Sequence, residues 1–183
     1  SRAYEQFLRG NVLVARRTPT ALRDAIVAYQ AATAADPAFA DAFGRLSYAY
    51  TLLENWLPIS SDETAQLPGL ARQAALRALQ LSPRSSDAWM GRAYQLGQWS
   101  ADARANGDDS LLASLAAFRR AIALNPRNDE AWHQYGATLG FVNDSASVAA
   151  LRRALALDPV RAVTYHDLAW MYFVMGRSDL ALA

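Results

Sequence analysis

The chain has 183 residues, 52% of them hydrophobic and 19% charged, with 18 Lys+Arg against 17 Asp+Glu. That composition excludes a disordered tail and allows a sizeable core, and a formal charge of +1 removes the electrostatic case for nucleic acid or an anionic membrane as the main partner. Cysteine is absent and every basic residue is arginine, so disulfides, thiolate chemistry, Cys-ligated zinc, Schiff bases and a P-loop lysine are excluded.

Apolar residues at helical spacing predict helices over about 2–16, 20–35, 39–54, 68–81, 86–98, 110–124, 129–141, 145–157 and 161–175, with another starting near 178. Only Arg17-Thr18-Pro19 separates the first two. Longer inserts lie near 54–67 and 98–110, and Trp56 and Trp99 within them argue for packed loops. Ser60-Ser61-Asp62-Glu63 has the spacing of a capping box and predicts a short extra turn before Pro68. The second insert includes the polar turn Asn106-Gly107-Asp108-Asp109. The longest charge-free stretch, 131–143, is too short to span a bilayer, and Ser1-Arg2-Ala3-Tyr4 carries no signal pattern. Asp179-Leu180-Ala181-Leu182-Ala183 stops in mid-helix, so the chain is expected to be a piece of something longer.

Four strings punctuate the helices: Ala35-Asp36-Pro37, Leu81-Ser82-Pro83, Leu124-Asn125-Pro126 and Leu157-Asp158-Pro159. Their prolines stand 46, 43 and 33 residues apart, yet fixed offsets from each agree. Six residues after come Phe43, Trp89, Trp132 and Tyr165; ten after, Ser47, Ala93, Gly136 and Ala169; thirteen after, Tyr50, Leu96, Leu139 and Tyr172. Twelve before stand Ala25, Ala71, Ser114 and Ser147; eight before, Tyr29, Ala75, Phe118 and Leu151; five before, always alanine, at 32, 78, 121 and 154. Steps of three and four put each set on one helix face. Each unit is therefore two helices whose small residues meet, with the aromatics as wedges between successive pairs, and such units must stack.

The pattern resembles the tetratricopeptide repeat, most fully in Trp132-Tyr135-Gly136 with Ala154-Pro159, and again in Tyr165, Leu168, Ala169, Tyr172 and Gly176. The resemblance implies an all-α, right-handed α-solenoid of four complete hairpins and a truncated fifth, in one domain over 1–183. The units run roughly over 2–37, 38–83, 84–126, 127–159 and 160–183. Ala3-Tyr4-Glu5, Leu8-Arg9-Gly10, Arg17-Thr18 and Ala25-Ile26 are similar to tetratricopeptide segments of bacterial multidomain signalling proteins, which implies a cyclase, Ser/Thr kinase or winged-helix parent.

The family lines a concave groove with its first helices, which implies a partner-binding surface of Tyr48, Thr51, Met90, Tyr94, Gln98, His133, Phe141, His166, Trp170 and Phe173. His133 and His166 are expected exposed or half-buried there, not as metal ligands, because no third ligand accompanies them. The family's carboxylate clamp, which takes acidic tails with Lys and Asn, is disfavoured: the matching places hold Gly44, Met90, His133 and His166, then Tyr48, Tyr94, Ala137 and Trp170. Arg77, Arg120 and Arg153, thickened by Arg119 and Arg152, predict a solvated convex row. Enzyme motifs are missing, and paired acids such as Asp129-Glu130 read as helix starts.

The expectation is a non-catalytic protein–protein interaction scaffold that holds a peptide or protein segment, with no cofactor, nucleic acid or membrane insertion. The alternative is a structural solenoid that packs on its own parent domain or self-associates through its truncated C-terminal end. The cytoplasm is the expected compartment, or the periplasm if the parent has a transmembrane segment.

Overall fold

The computed structural model describes residues 1–55, 62–97, 110–142 and 144–181. Among these the regular elements are helices: α1 (Arg2–Val14), α2 (Pro19–Ala35), α3 (Ala40–Glu54), α4 (Asp62–Leu81), α5 (Ser86–Leu96), α6 (Ser110–Leu124), α7 (Asp129–Leu139), α8 (Asp144–Leu157), α9 (Ala162–Val174) and α10 (Ser178–Ala181). Odd and even helices pair in sequence, α1 with α2 through α9 with α10, and each pair leans on the next.

Local chemistry sets the helix ends. Thr18, Ser85 and Asn128 cap α2, α5 and α7 by accepting the N–H of Ala21, Ala88 and Ala131 at 3.2, 2.9 and 3.0 Å. The residue before each punctuating proline closes the preceding helix in the same way every time. The N–H groups of Asp36, Ser82, Asn125 and Asp158 donate to the carbonyls of Ala32, Ala78, Ala121 and Ala154 at 3.0, 2.9, 3.0 and 2.9 Å. Gly176, at φ +71°, ends α9 in the left-handed conformation that glycine adopts without strain.

Those alanines are fully buried, as are Tyr29, Ala75, Phe118 and Leu151 one turn earlier. Opposite them, Gly136 lets α7 meet α8: a Cβ there would lie 2.8 Å from Leu151 Cγ and 3.0 Å from its backbone N. Serines staple two hairpins across this contact. Ser114 Oγ donates to the Ala93 carbonyl at 2.7 Å and Ser147 Oγ to the Gly136 carbonyl at 2.8 Å.

Two expectations change, and others fall outside the described residues. The helix placed at 68–81 runs from Asp62 straight through Pro68, because Leu67 and Ala71, one turn apart across the proline, are both buried on the same side. The capping box is outside the described residues except for its last two positions, which lie in α4, and Trp56, Trp99 and the turn 106–109 also lie outside them. The aromatic wedges are not fully buried. Phe43, Trp89 and Trp132 are half-buried and Tyr165 is exposed; in the two tryptophans and the tyrosine the polar end stays at the rim. Trp89 Nε1, Trp132 Nε1 and Tyr165 Oη donate to the carbonyls of Pro83, Pro126 and Pro159 at 2.9, 3.0 and 3.1 Å.

The first helices of the second and third pairs come closer than the repeat columns foretell. A Cβ on Gly91 would sit 2.2 Å from the Gly44 carbonyl oxygen, and one on Gly44 would sit 2.3 Å from that of Asp87. This crossing of α3 on α5, backbone against backbone, narrows the inner face of the solenoid.

Candidate functional site on the inner face

The narrowing has a polar consequence. Arg17, in the α1–α2 turn, reaches across to the first turn of α7, where Nη2 lies 2.9 Å from Glu130 Oε1 and 3.0 Å from Tyr48 Oη. Tyr48 donates to the same carboxylate oxygen at 2.7 Å, and Gln134 Nε2 donates to it at 2.9 Å. Arg161, preceding α9, holds the other oxygen of Glu130 and also pairs with Asp129 and Asp158. Glu130 is buried. Burial by itself would push its carboxyl up, but Arg17 and then Arg161 outweigh that and hold it well below the usual range. Arg17 adopts φ 50°, the left-handed region a non-glycine residue enters at a cost of roughly 1 kcal/mol. Its side chain recovers that cost through the Glu130 pair, so the strained turn and the buried ion pair belong to one feature.

His133 stands beside this network. Its Nδ1 is 2.9 Å from Thr164 Oγ1 and its Nε2 is 3.6 Å from Asp167 Oδ2. Burial drives its pKa down to about 4, against the pull of Glu130, so the imidazole is neutral at pH 7. Hydroxyl, imidazole and carboxylate in series follow the order of a catalytic triad in kind only: Thr164 has no exposed surface, and no substrate atom can approach its oxygen.

Above this floor opens a pocket of about 640 Å³. Its polar lining includes Arg17, Gln134, His133, Tyr94, Asn55 and Asp167, and its apolar lining Leu52, Leu151, Val163, Met171, Phe141 and Trp170. Tyr94 packs edge-on against Tyr48, ring centroids 4.9 Å apart, and accepts from Asn55 Nδ2 at 3.1 Å. Burial pushes its hydroxyl up to about 12, so it stays protonated. Trp170 and Phe141 are 59% and 63% exposed, with the Phe173 ring tilted by 32° beside Trp170 at 5.8 Å.

The expected groove residues therefore divide. Tyr94, His133, Phe141 and Trp170 line one pocket. Phe173 adjoins it, and His166 is exposed and bonded to Asp167 Oδ1 at 3.1 Å. Tyr48, Thr51, Met90 and His133 were expected on an open surface and are instead buried; Gly44, a position matching the clamp, lies in the α3–α5 crossing. For Tyr48, Thr51 and Met90, on α3 and α5, the close approach of those two helices turns the centre of the groove into core; His133, on α7, is covered by Thr164 and Asp167 of α9. Gln98 lies outside the described residues. Sequence reasoning missed Arg17, Glu130, Gln134 and Asp167. Glu130 reads as a helix-start acid and Arg17 as a turn residue, and nothing in their 113-residue separation pairs them.

Among the described residues no group of three or more His, Asp or Glu side chains could hold a metal ion, and no helix is long and apolar enough to cross a membrane. Arg77, Arg119, Arg120, Arg152 and Arg153 are exposed on the even-numbered helices.

No family model and no curated protein sequence matches the chain. Solved structures do. A thermophilic TPR protein of Thermus thermophilus is 21% identical, with a TM-score of 0.72 over 98% of this chain and 86% of its own. MamA is 20% identical at TM-score 0.55, covering 99% and 86%. YrrB, described as a TPR protein with an unusual peptide-binding site, is 17% identical at TM-score 0.52, covering 97% and 79%. At these identities the likeness concerns the fold. Together with the proline-punctuated helix pairs, it makes this chain, by fold, a tetratricopeptide-repeat α-solenoid.

Proposed function

We propose that the chain is a non-catalytic interaction scaffold that takes a segment of another polypeptide into the inner-face pocket. One observation carries the reading: two large aromatics, Trp170 and Phe141, stay more than half exposed around a cleft whose floor is fixed by buried ion pairs. Exposed aromatic anchors over a rigid base are the arrangement from which binding hot spots are built. The peptide-binding site named for YrrB is consistent with such a use of this fold. A place in a larger bacterial signalling protein rests on the resemblance of the N-terminal segment alone.

The reading is tested by selecting peptides from a random display library on the immobilised chain, with Phe141→Ser/Trp170→Ser as counter-bait. Both positions are exposed, so the variant should keep its melting temperature. Peptides retained only by the unaltered chain support the reading, and equal retention by both sinks it.

A second reading, a structural solenoid that packs on a parent domain or self-associates, is favoured by different residues. Tyr4, Leu8 and Val12 form an exposed stripe at one end on α1, and Phe173 and Val174 are exposed at the other on α9. Sedimentation at increasing concentration tests its self-associating form: a constant monomer mass removes that form.

A further inference from the structure

The pocket lining carries one guanidinium, Arg17, and one carboxylate, Asp167. The adjoining ion-pair network adds Asp129, Glu130 and Asp158 and the guanidinium of Arg161. Both guanidinium groups are already paired with Glu130, and Arg161 with Asp129 and Asp158 as well. Asp167 is different. Among the described residues no arginine lies within ion-pair distance of it; its neighbours are the imidazoles of His133 at 3.6 Å and His166 at 3.1 Å. Its side chain is 28% exposed and lines the pocket. Trp170 follows it by three residues on α9 and so shares its helix face. A carboxylate beside an exposed indole offers two attractions to one cation, an ion pair and a cation–π contact. The neighbouring Phe141 and Met171 suit the aliphatic stem that a lysine or arginine side chain lays along apolar surface.

We propose that the pocket takes a lysine or arginine side chain of the bound segment, its cation held at Asp167 and Trp170 and its stem lying against Phe141 and Met171. This rests on the pocket being a polypeptide site and adds the chemistry of what it selects. Acidic segments are rejected, because Arg17, the one guanidinium in the lining, is committed to Glu130.

The test uses acetylated, amidated peptides of Ser-Leu-Xaa-Leu-Ser pattern, with Xaa arginine, lysine, norleucine or glutamate. Each is titrated into the chain while the indole N–H resonance of Trp170 is followed, that signal being assigned by its loss in Trp170→Leu. The arginine and lysine peptides should bind about tenfold tighter than the norleucine peptide, and added salt should shrink the difference. Asp167→Asn should erase the preference, so that arginine and norleucine peptides bind the variant alike, with its melting temperature recorded beside it. Trp170→Leu, read by calorimetry, should reduce the preference severalfold and keeps the inference testable if Asp167→Asn does not fold. Equal binding of the norleucine peptide, or a preference that ignores salt, overturns the cation site and leaves the pocket reading standing. No response to any of the four peptides also overturns it, and the pocket reading is then decided by the counter-selection alone.

Discussion

His133 is a residue whose charge the fold decides. Its pKa of about 4 in the folded chain lies below the value near 6.5 of an unburied histidine. The folded chain therefore binds fewer protons than the unfolded one between those limits, and stability falls as pH drops from about 6.5 to about 4. Glu130 acts lower on the scale. Its depressed carboxyl contributes fully above about pH 4.3 and loses its contribution as pH falls through the folded value. Chemical denaturation across this range should show a nearly constant stability above about pH 7 and a loss of up to about 3 kcal/mol on the way to pH 4. His133→Gln should flatten that stretch, and an unchanged slope in the variant would place the titration elsewhere. His166, exposed and outside the pocket lining, should tolerate alanine within about 0.5 kcal/mol.

Two kinds of close contact separate the helix pairs. At Gly136 an added methyl would lie 2.8 Å from Leu151 Cγ and 3.0 Å from its backbone N, the smaller of the two overlaps. At Gly91 it meets the carbonyl of Gly44 on another helix, which can move only if α3 and α5 separate. Gly136→Ala is thus expected to cost about 1 kcal/mol and Gly91→Ala about 3 kcal/mol or more in thermal unfolding. The reverse order would mean that the α3–α5 crossing is looser than its backbone contact implies. Trp132 belongs to this scale as well. Half-buried, packed edge-on to Tyr135 at 6.4 Å and bonded to the Pro126 carbonyl, it should cost about 2 kcal/mol on truncation to alanine. A fully buried wedge would cost roughly 3–5 kcal/mol.

Across the whole molecule, Arg17 joins the turn of the first helix pair to the start of the fourth. Neighbour-to-neighbour stacking, the rule for solenoids, is here supplemented by a tie that spans α3 and α5. Arg17→Met should leave the helix content intact, since each pair keeps its own core, yet cost about 3 kcal/mol by leaving half of the Glu130 compensation missing. Small-angle scattering should show a longer maximum dimension once the tie is gone. A variant with native dimensions and native stability would show that the α3–α5 crossing alone sets the curvature. Replacing both partners, Arg17→Met with Glu130→Gln, should cost less than the sum of the single changes, because neither leaves the other buried without its countercharge.

Much of this molecule was legible along the chain. Ala32, Ala78, Ala121 and Ala154, with their serine and glycine counterparts, repeat at fixed distances from a proline, because a helix shows one face every three or four residues and one residue type must fit each recurring contact. The helix pairs, the proline-marked ends of their second helices and the small-residue contacts within each pair followed from that local regularity. The openness of the groove did not. Whether Tyr48 and Met90 face solvent depends on how closely α3 approaches α5, which two glycines in different repeats permit, at positions the repeat columns leave unmarked; His133 is covered from α9, by Thr164 and Asp167. The pairing of Arg17 with Glu130 and Tyr48 is further still from the sequence, since charges 113 residues apart become neighbours only after every intervening helix pair has stacked. The sequence alone determined the repeated contacts within each pair; the accumulated rotation from pair to pair, visible only in three dimensions, decided which polar groups met, which were buried, and where a pocket remained.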